Sequence, residues 1–148
     1  LVSALAIWIW LLDRQIVRER SETLCVATKV PPQNLLWPAP EAVPVSKVFP
    51  AAHVTGCTER SLRNLGLPHI DLLQLHVWRD EYLDQDDGWR RALEDLKASG
   101  KVRFLGVSIN DHDPGTALRA VRAALFDAVQ VTHNVFDQSP QAVDPLPS

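Results

Sequence analysis

Residues 70–77 read Ile-Asp-Leu-Leu-Gln-Leu-His-Val, and this stretch decides the fold. Its near-continuous apolar character is that of a strand buried on both faces. His76 stands at its C-terminal end. Working outward, further β-rich runs fall near residues 24–29, 103–108 and 128–132. Between them the apolar spacing predicts helices near 57–66, 87–99 and 114–124, with faces built from Val54, Leu62 and Leu65, from Trp89, Leu93 and Leu96, and from Leu118, Val121 and Leu125. Thr55 or Thr58 is expected to cap the first of these helices and Gly66 to close it; Gly100 closes the second, and Pro114 suits the first turn of the third. Strands alternating with helices make the βαβ rhythm of a parallel sheet. Four such strands fit either an open doubly wound sheet or part of a (β/α)8 barrel, which takes about 250 residues in full.

The 148 residues suffice for one domain with a core, and a net charge of -3 carries no basic footprint, so nucleic acid is not an expected partner. Residues 1–12 (LVSALAIWIWLL) are almost wholly apolar but fall short of the roughly 20 residues a membrane-spanning helix needs. They read as a packed helix or a truncated edge, with no membrane partner expected. The absence of Met suggests a fragment. Cys25, in a strand-like run, and Cys57, opening a helix-like one, read as reduced packing residues, which fits a cytoplasmic location. Residues 31–50 hold six of the eleven prolines and read as a long irregular loop on an active-site rim.

In both candidate architectures ligands gather at the C-terminal ends of the strands. Lys29, His76, Ser108 with Asn110, and Gln130 with Asn134 occupy those ends. Singly, each has an ordinary explanation: a solvated lysine, a satisfied buried histidine, turn residues, an amide bonded to backbone. Their shared placement carries the case for a site. His53, His69 and His112 read as solvated and His133 as structural. No metal site is expected, since no His-x-His or His-Glu-x-x-His spacing occurs. Dinucleotide-turn, P-loop and nucleophile-elbow motifs are also absent from the sequence.

The segments ATK (27–29), RSLRNLGLPHIDLLQLH (60–76), ALEDLKASGKVRFLGVSIN (92–110) and DAVQVTHNVFD (127–137) resemble the aldo-keto reductase family in order and spacing. The resemblance covers residues 21–140 of a single incomplete domain spanning 1–148, with 1–20 atypical and 141–148 a tail. It implies a partial (β/α)8 TIM barrel covering strands three to six, and NADPH-dependent reduction of a small aldehyde or ketone. Of the family's catalytic Asp, Tyr, Lys and His, the lysine falls on Lys29 and the histidine on His76. The residues that hold the nicotinamide carboxamide fall on Ser108, Asn110 and Gln130. No equivalent of the catalytic Asp or Tyr is found. Tyr82, the chain's one tyrosine, reads as a loop residue, and Asp13 is no substitute for the aspartate. The isolated chain is therefore expected to be inactive, and a non-catalytic cofactor- or partner-binding subunit is the alternative. Open sheet edges would favour self-association.

Overall fold

In the computed structural model the described residues are 19, 24–36, 42–85, 88–109 and 118–131. They build one parallel sheet from β1 (Ala27–Val30), β2 (Ile70–His76), β3 (Val102–Ser108) and β4 (Ala128–Gln130). Helices α1 (Val45–Val48) and α2 (Ala51–Leu65) join the first two strands. A 3-10 turn (Asp80–Asp84) and α3 (Trp89–Ala98) join the next pair, and α4 (Leu118–Arg122) precedes β4. The strands lie in the order β1-β2-β3-β4. A doubly wound sheet reverses its progression at a switch point. Here every connection steps to the adjacent strand in the same sense, so the chain forms a partial α/β barrel.

Local chemistry moves several boundaries. Helix α2 begins at Ala51, well before the expected residue 57, with Pro50 as its extended N-cap (φ -61°, ψ 145°), whose carbonyl accepts from the His53 and Val54 amides. Thr58 is instead mid-helix and buried, donating its hydroxyl hydrogen to the Val54 carbonyl at 2.9 Å. The helix stops at Gly66, which takes φ 69°, and the amides of Gly66 and Leu67 both reach the Leu62 carbonyl. The segment 31–50 is not irregular throughout: it contains α1, whose Val45 and Val48 are buried with Phe49. Cys25 precedes β1 and is exposed, contrary to a packing role, whereas Cys57 is buried midway along α2. His53 lies on α2 rather than in a loop, its Nε2 2.8 Å from the Pro31 carbonyl oxygen. The expected Pro114 start of the third helix, residues 1–12, Asp13, His112, His133, Asn134 and the 141–148 tail lie outside the described residues.

One face of the sheet is sealed. Leu73, Leu75, Leu105 and Val107 join Val54 and Cys57 of α2 and Ala92, Leu93 and Leu96 of α3 in a continuous core. Above this layer, at the C-terminal ends of the strands, Trp78 sits among aromatic rings: Phe126 at 5.0 Å, Trp89 at 5.3 Å and Tyr82 at 5.6 Å between centroids. Edge-on contacts of this kind add to the area they bury. The N-terminal end of the sheet is held by Asp71, which accepts from the Val26 amide and from Arg103, each at 2.9 Å. The Val26 amide leads in holding the Asp71 carboxyl below its usual range, with Arg103 assisting against the cost of burial.

Candidate functional site at the strand mouths

Strand pairing sets the site's geometry. Lys29 pairs with Gln74, His76 with Ser108, and Ser108 with Gln130. Side chains two apart on a strand share a face, and register partners point the same way. Lys29, Gln74, His76, Ser108 and Gln130 therefore project from the face opposite the sealed core. The His76, Ser108 and Gln130 level crosses three adjacent strands at the mouth.

Gly106 confirms which side chains share that face. A Cβ placed there would meet Gln74 Cγ and Leu72 Cδ1 at 3.2 Å each and the Ala128 carbonyl oxygen at 2.9 Å. Gln74 thus lies over a glycine-floored gap and is itself buried. The alternation of residues 72, 74 and 76 was enough to place Gln74 beside His76, but its pairing with Lys29 and its fit over Gly106 needed the neighbouring strands.

Lys29 reaches farther than its own neighbour. Its Nζ donates to Ser108 Oγ at 3.3 Å. Strands lie about 4.8 Å apart, so the lysine stem crosses β2 to meet a hydroxyl on β3. Its ammonium arrives at the level that also carries His76. Ser108 is buried, while Gln130 on β4, the outer strand among the described residues, is exposed. Asn110 lies outside the described residues.

The backbone at this level is tied down. The amides of Val77 and Trp78 both donate to the Ser108 carbonyl, at 2.9 and 3.0 Å, and the Ile109 amide donates to the Gln130 carbonyl at 3.1 Å. The first of these bonds accompanies a left-handed Val77 (φ 70°), an uncommon state for a β-branched residue, directly after His76. Such a conformation costs roughly 1–3 kcal/mol and persists only where the surroundings impose it.

Past the mouth, Asp80 is a buried carboxylate that the linear reading did not single out. It accepts from Trp78 Nε1 at 3.1 Å and from the amides of Arg119 and Ala120 at 2.6 and 3.1 Å. It thereby satisfies the first turn of α4 from a distant segment. Arg119 completes the clamp with two bonds to Asp84, at 2.8 and 2.6 Å. The only sequence signal was an acidic run, Asp80-Glu81 and Asp84, after a strand end.

Tyr82 belongs to the same 3-10 turn, within the connection between β2 and α3, and is buried. Its ring packs against Phe49 and Trp78, and its hydroxyl is buried without a hydrogen-bond partner among the described residues. Burial pushes the phenol pKa up. A proton donor to a carbonyl needs the opposite shift, from a nearby ammonium. Among the described residues no cluster of three metal-ligand side chains occurs, and no helix is long and apolar enough to cross a membrane.

A successive-strand parallel barrel with polar side chains at its strand mouths defines the class, and comparison with known proteins supplies the family. The aldo/keto reductase family matches residues 8–145, so the chain belongs to that family. It is 42% identical over 62 residues to an uncharacterized oxidoreductase, YcsN, of Bacillus subtilis, across 41% of this chain and 20% of the relative. Over 58 residues it is 43% identical to a 6-dehydroglucose reductase of Agrobacterium fabrum, across 39% of this chain and 19% of the relative. The apo form of an aldo-keto reductase from Bacillus halodurans superposes with a TM-score of 0.66 at 23% identity, covering 90% of this chain and 39% of that one. The matched segments thus span about a fifth of the curated relatives.

Proposed function

We propose that this chain carries the lysine, histidine and carboxamide-binding residues of a reductase that reduces a small aldehyde or ketone with NADPH. The observation that supports the reading best is Lys29 Nζ bonded to Ser108 Oγ at the level of His76, on the face away from the core. The donor set suits a nicotinamide. A carboxamide offers one carbonyl acceptor and two N–H donors, and the Ser108 hydroxyl and Gln130 amide, register partners, can meet both kinds. A bound nicotinamide supplies the hydride. Ser108 and Gln130, with Asn110 by resemblance to the family, would hold its carboxamide, so that one ring face would meet the substrate.

His76 would orient the carbonyl oxygen through a hydrogen bond. The Lys29 ammonium favours the ionised form of a neighbouring phenol, lowering its pKa and easing proton transfer to that oxygen. Tyr82 is not that phenol, because its hydroxyl is buried among aromatic rings and its pKa moves up. The 148-residue chain alone therefore holds the nicotinamide end without turning over. The same property of Tyr82 favours, as a second reading, a cofactor- or partner-binding subunit that performs no reduction. Free Cys25 and Cys57 suit a cytoplasmic setting, and β1 and β4, the outer strands among the described residues, suit self-association.

Reduced nicotinamide mononucleotide tests the reading, because it carries the carboxamide without the remainder of NADPH. In a titration of the chain followed by NMR, saturable shifts centred on His76, Ser108 and Gln130 are expected, with no oxidation of NADPH by benzaldehyde. Shifts confined to other surfaces, or none, would sink the site. Steady NADPH oxidation would overturn the statement that the chain alone lacks its proton donor.

A further inference from the structure

We infer that the Ser108 hydroxyl is a bridge between the lysine and the cofactor, so that Lys29 positions the nicotinamide through Ser108; this rests on the carboxamide site proposed above. An ammonium has only hydrogens to give, whereas a hydroxyl has one hydrogen and two lone pairs. In the Lys29–Ser108 contact, Ser108 must therefore be the acceptor, and its single hydrogen points elsewhere. Its backbone leaves little freedom to change that: the Ser108 carbonyl is held by two amides from the turn after His76, and the residue is buried. Rotation about the Cα–Cβ bond is the remaining choice.

With one lone pair committed to Lys29, the hydroxyl hydrogen is available to a carbonyl oxygen across the mouth, toward the level shared with Gln130. A donor that itself accepts from a cation is polarised and binds its acceptor more strongly. Occupying the carboxamide subsite and holding Lys29 over β2 then favour each other. Such coupling is reciprocal: whatever the lysine adds to carboxamide binding, the carboxamide adds to lysine placement. Lys29 thereby acquires a positioning role distinct from its effect on a phenol.

A double-mutant cycle on the 148-residue chain, with reduced nicotinamide mononucleotide as the probe, tests the bridge. Lys29→Met and Ser108→Ala are each expected to weaken binding about five- to tenfold, the size of one well-made hydrogen bond. The double variant should lose no more than the weaker single, and Ser108→Thr, which keeps the hydroxyl, should restore the coupling. A second measurement does not depend on affinity. The Lys29 ammonium nitrogen resonance should move on probe addition in the native chain and stay put in Ser108→Ala. Losses that multiply in the double variant, or an ammonium resonance that responds equally without the hydroxyl, would overturn the bridge while leaving the carboxamide site standing. Failure of the native chain to bind the probe would remove both.

Discussion

The two faces of the sheet are built from the same four strands yet obey opposite rules. On one, Leu73, Leu75, Leu105 and Val107 are sealed beneath α2 and α3. On the other, Lys29, Gln74, His76, Ser108 and Gln130 share space with Phe104, which is 47% exposed. The first face is where folding free energy is gained, because apolar area leaves water there. The second holds the polar side chains that chemistry would use, and its floor is a glycine. Continuous hydrophobicity in β2 conceals this division, since both faces contribute apolar residues over most of its length.

The largest way to break the contrast is Trp78→Ala, which empties the centre of the aromatic group on the strand mouths. A loss of about 3–5 kcal/mol in urea unfolding is expected. A midpoint unchanged within error would show that the aromatic cap is not part of the cooperative core.

A smaller effect separates the two ends of the sheet. Asp71→Asn removes the carboxylate that joins Val26 and Arg103 at the N-terminal end, and should cost about 1–3 kcal/mol near neutral pH without moving the resonances of His76. The Asp71 pKa is depressed in the fold, so its contribution is complete above the unfolded value of about 3.9 and vanishes as pH falls through the lower folded value. Asp127 acts in the same direction: burial would raise its pKa, but the Leu105 amide and Lys97 together outweigh that. Native stability should consequently decline on acidification below about pH 4, and less steeply in Asp71→Asn. An identical slope in the two proteins would remove Asp71 from the account.

Phe104→Ser is the smallest change in stability, about 1 kcal/mol, because only about half of the side chain is out of water. Its readout is association. If the exposed face drives self-association, sedimentation should shift toward monomer in the variant. An unchanged distribution would assign association to another surface.

The strand positions, the helical intervals and the alignment of Lys29, His76, Ser108 and Gln130 at strand ends were legible because hydrophobic period and charge placement are local properties. Other features were hidden by their long-range partners. Pro50 starts a helix that threonines seemed better suited to cap. Residues 45–49 look like part of a proline loop until Val45, Val48 and Phe49 are seen in the core. Asp80 is one acid among several until two amides from α4 converge on it. Cys25 seemed part of a strand that begins only at Ala27.

By itself the amino-acid order determined the βαβ rhythm, the residues standing at the ends of the strands, and the family resemblance carried by LH, TK and GVS segments. Tertiary structure decided three other matters. It set the strand order β1-β2-β3-β4, which periodicity alone left open between a doubly wound sheet and the partial barrel that the resemblance implied, because spatial order is a choice of pairing that periodicity does not encode. It put Lys29 across β2 onto Ser108, because register and the reach of a lysine exist only once strands are side by side. And it closed Tyr82 off among aromatic rings, because burial is a property of what surrounds a residue.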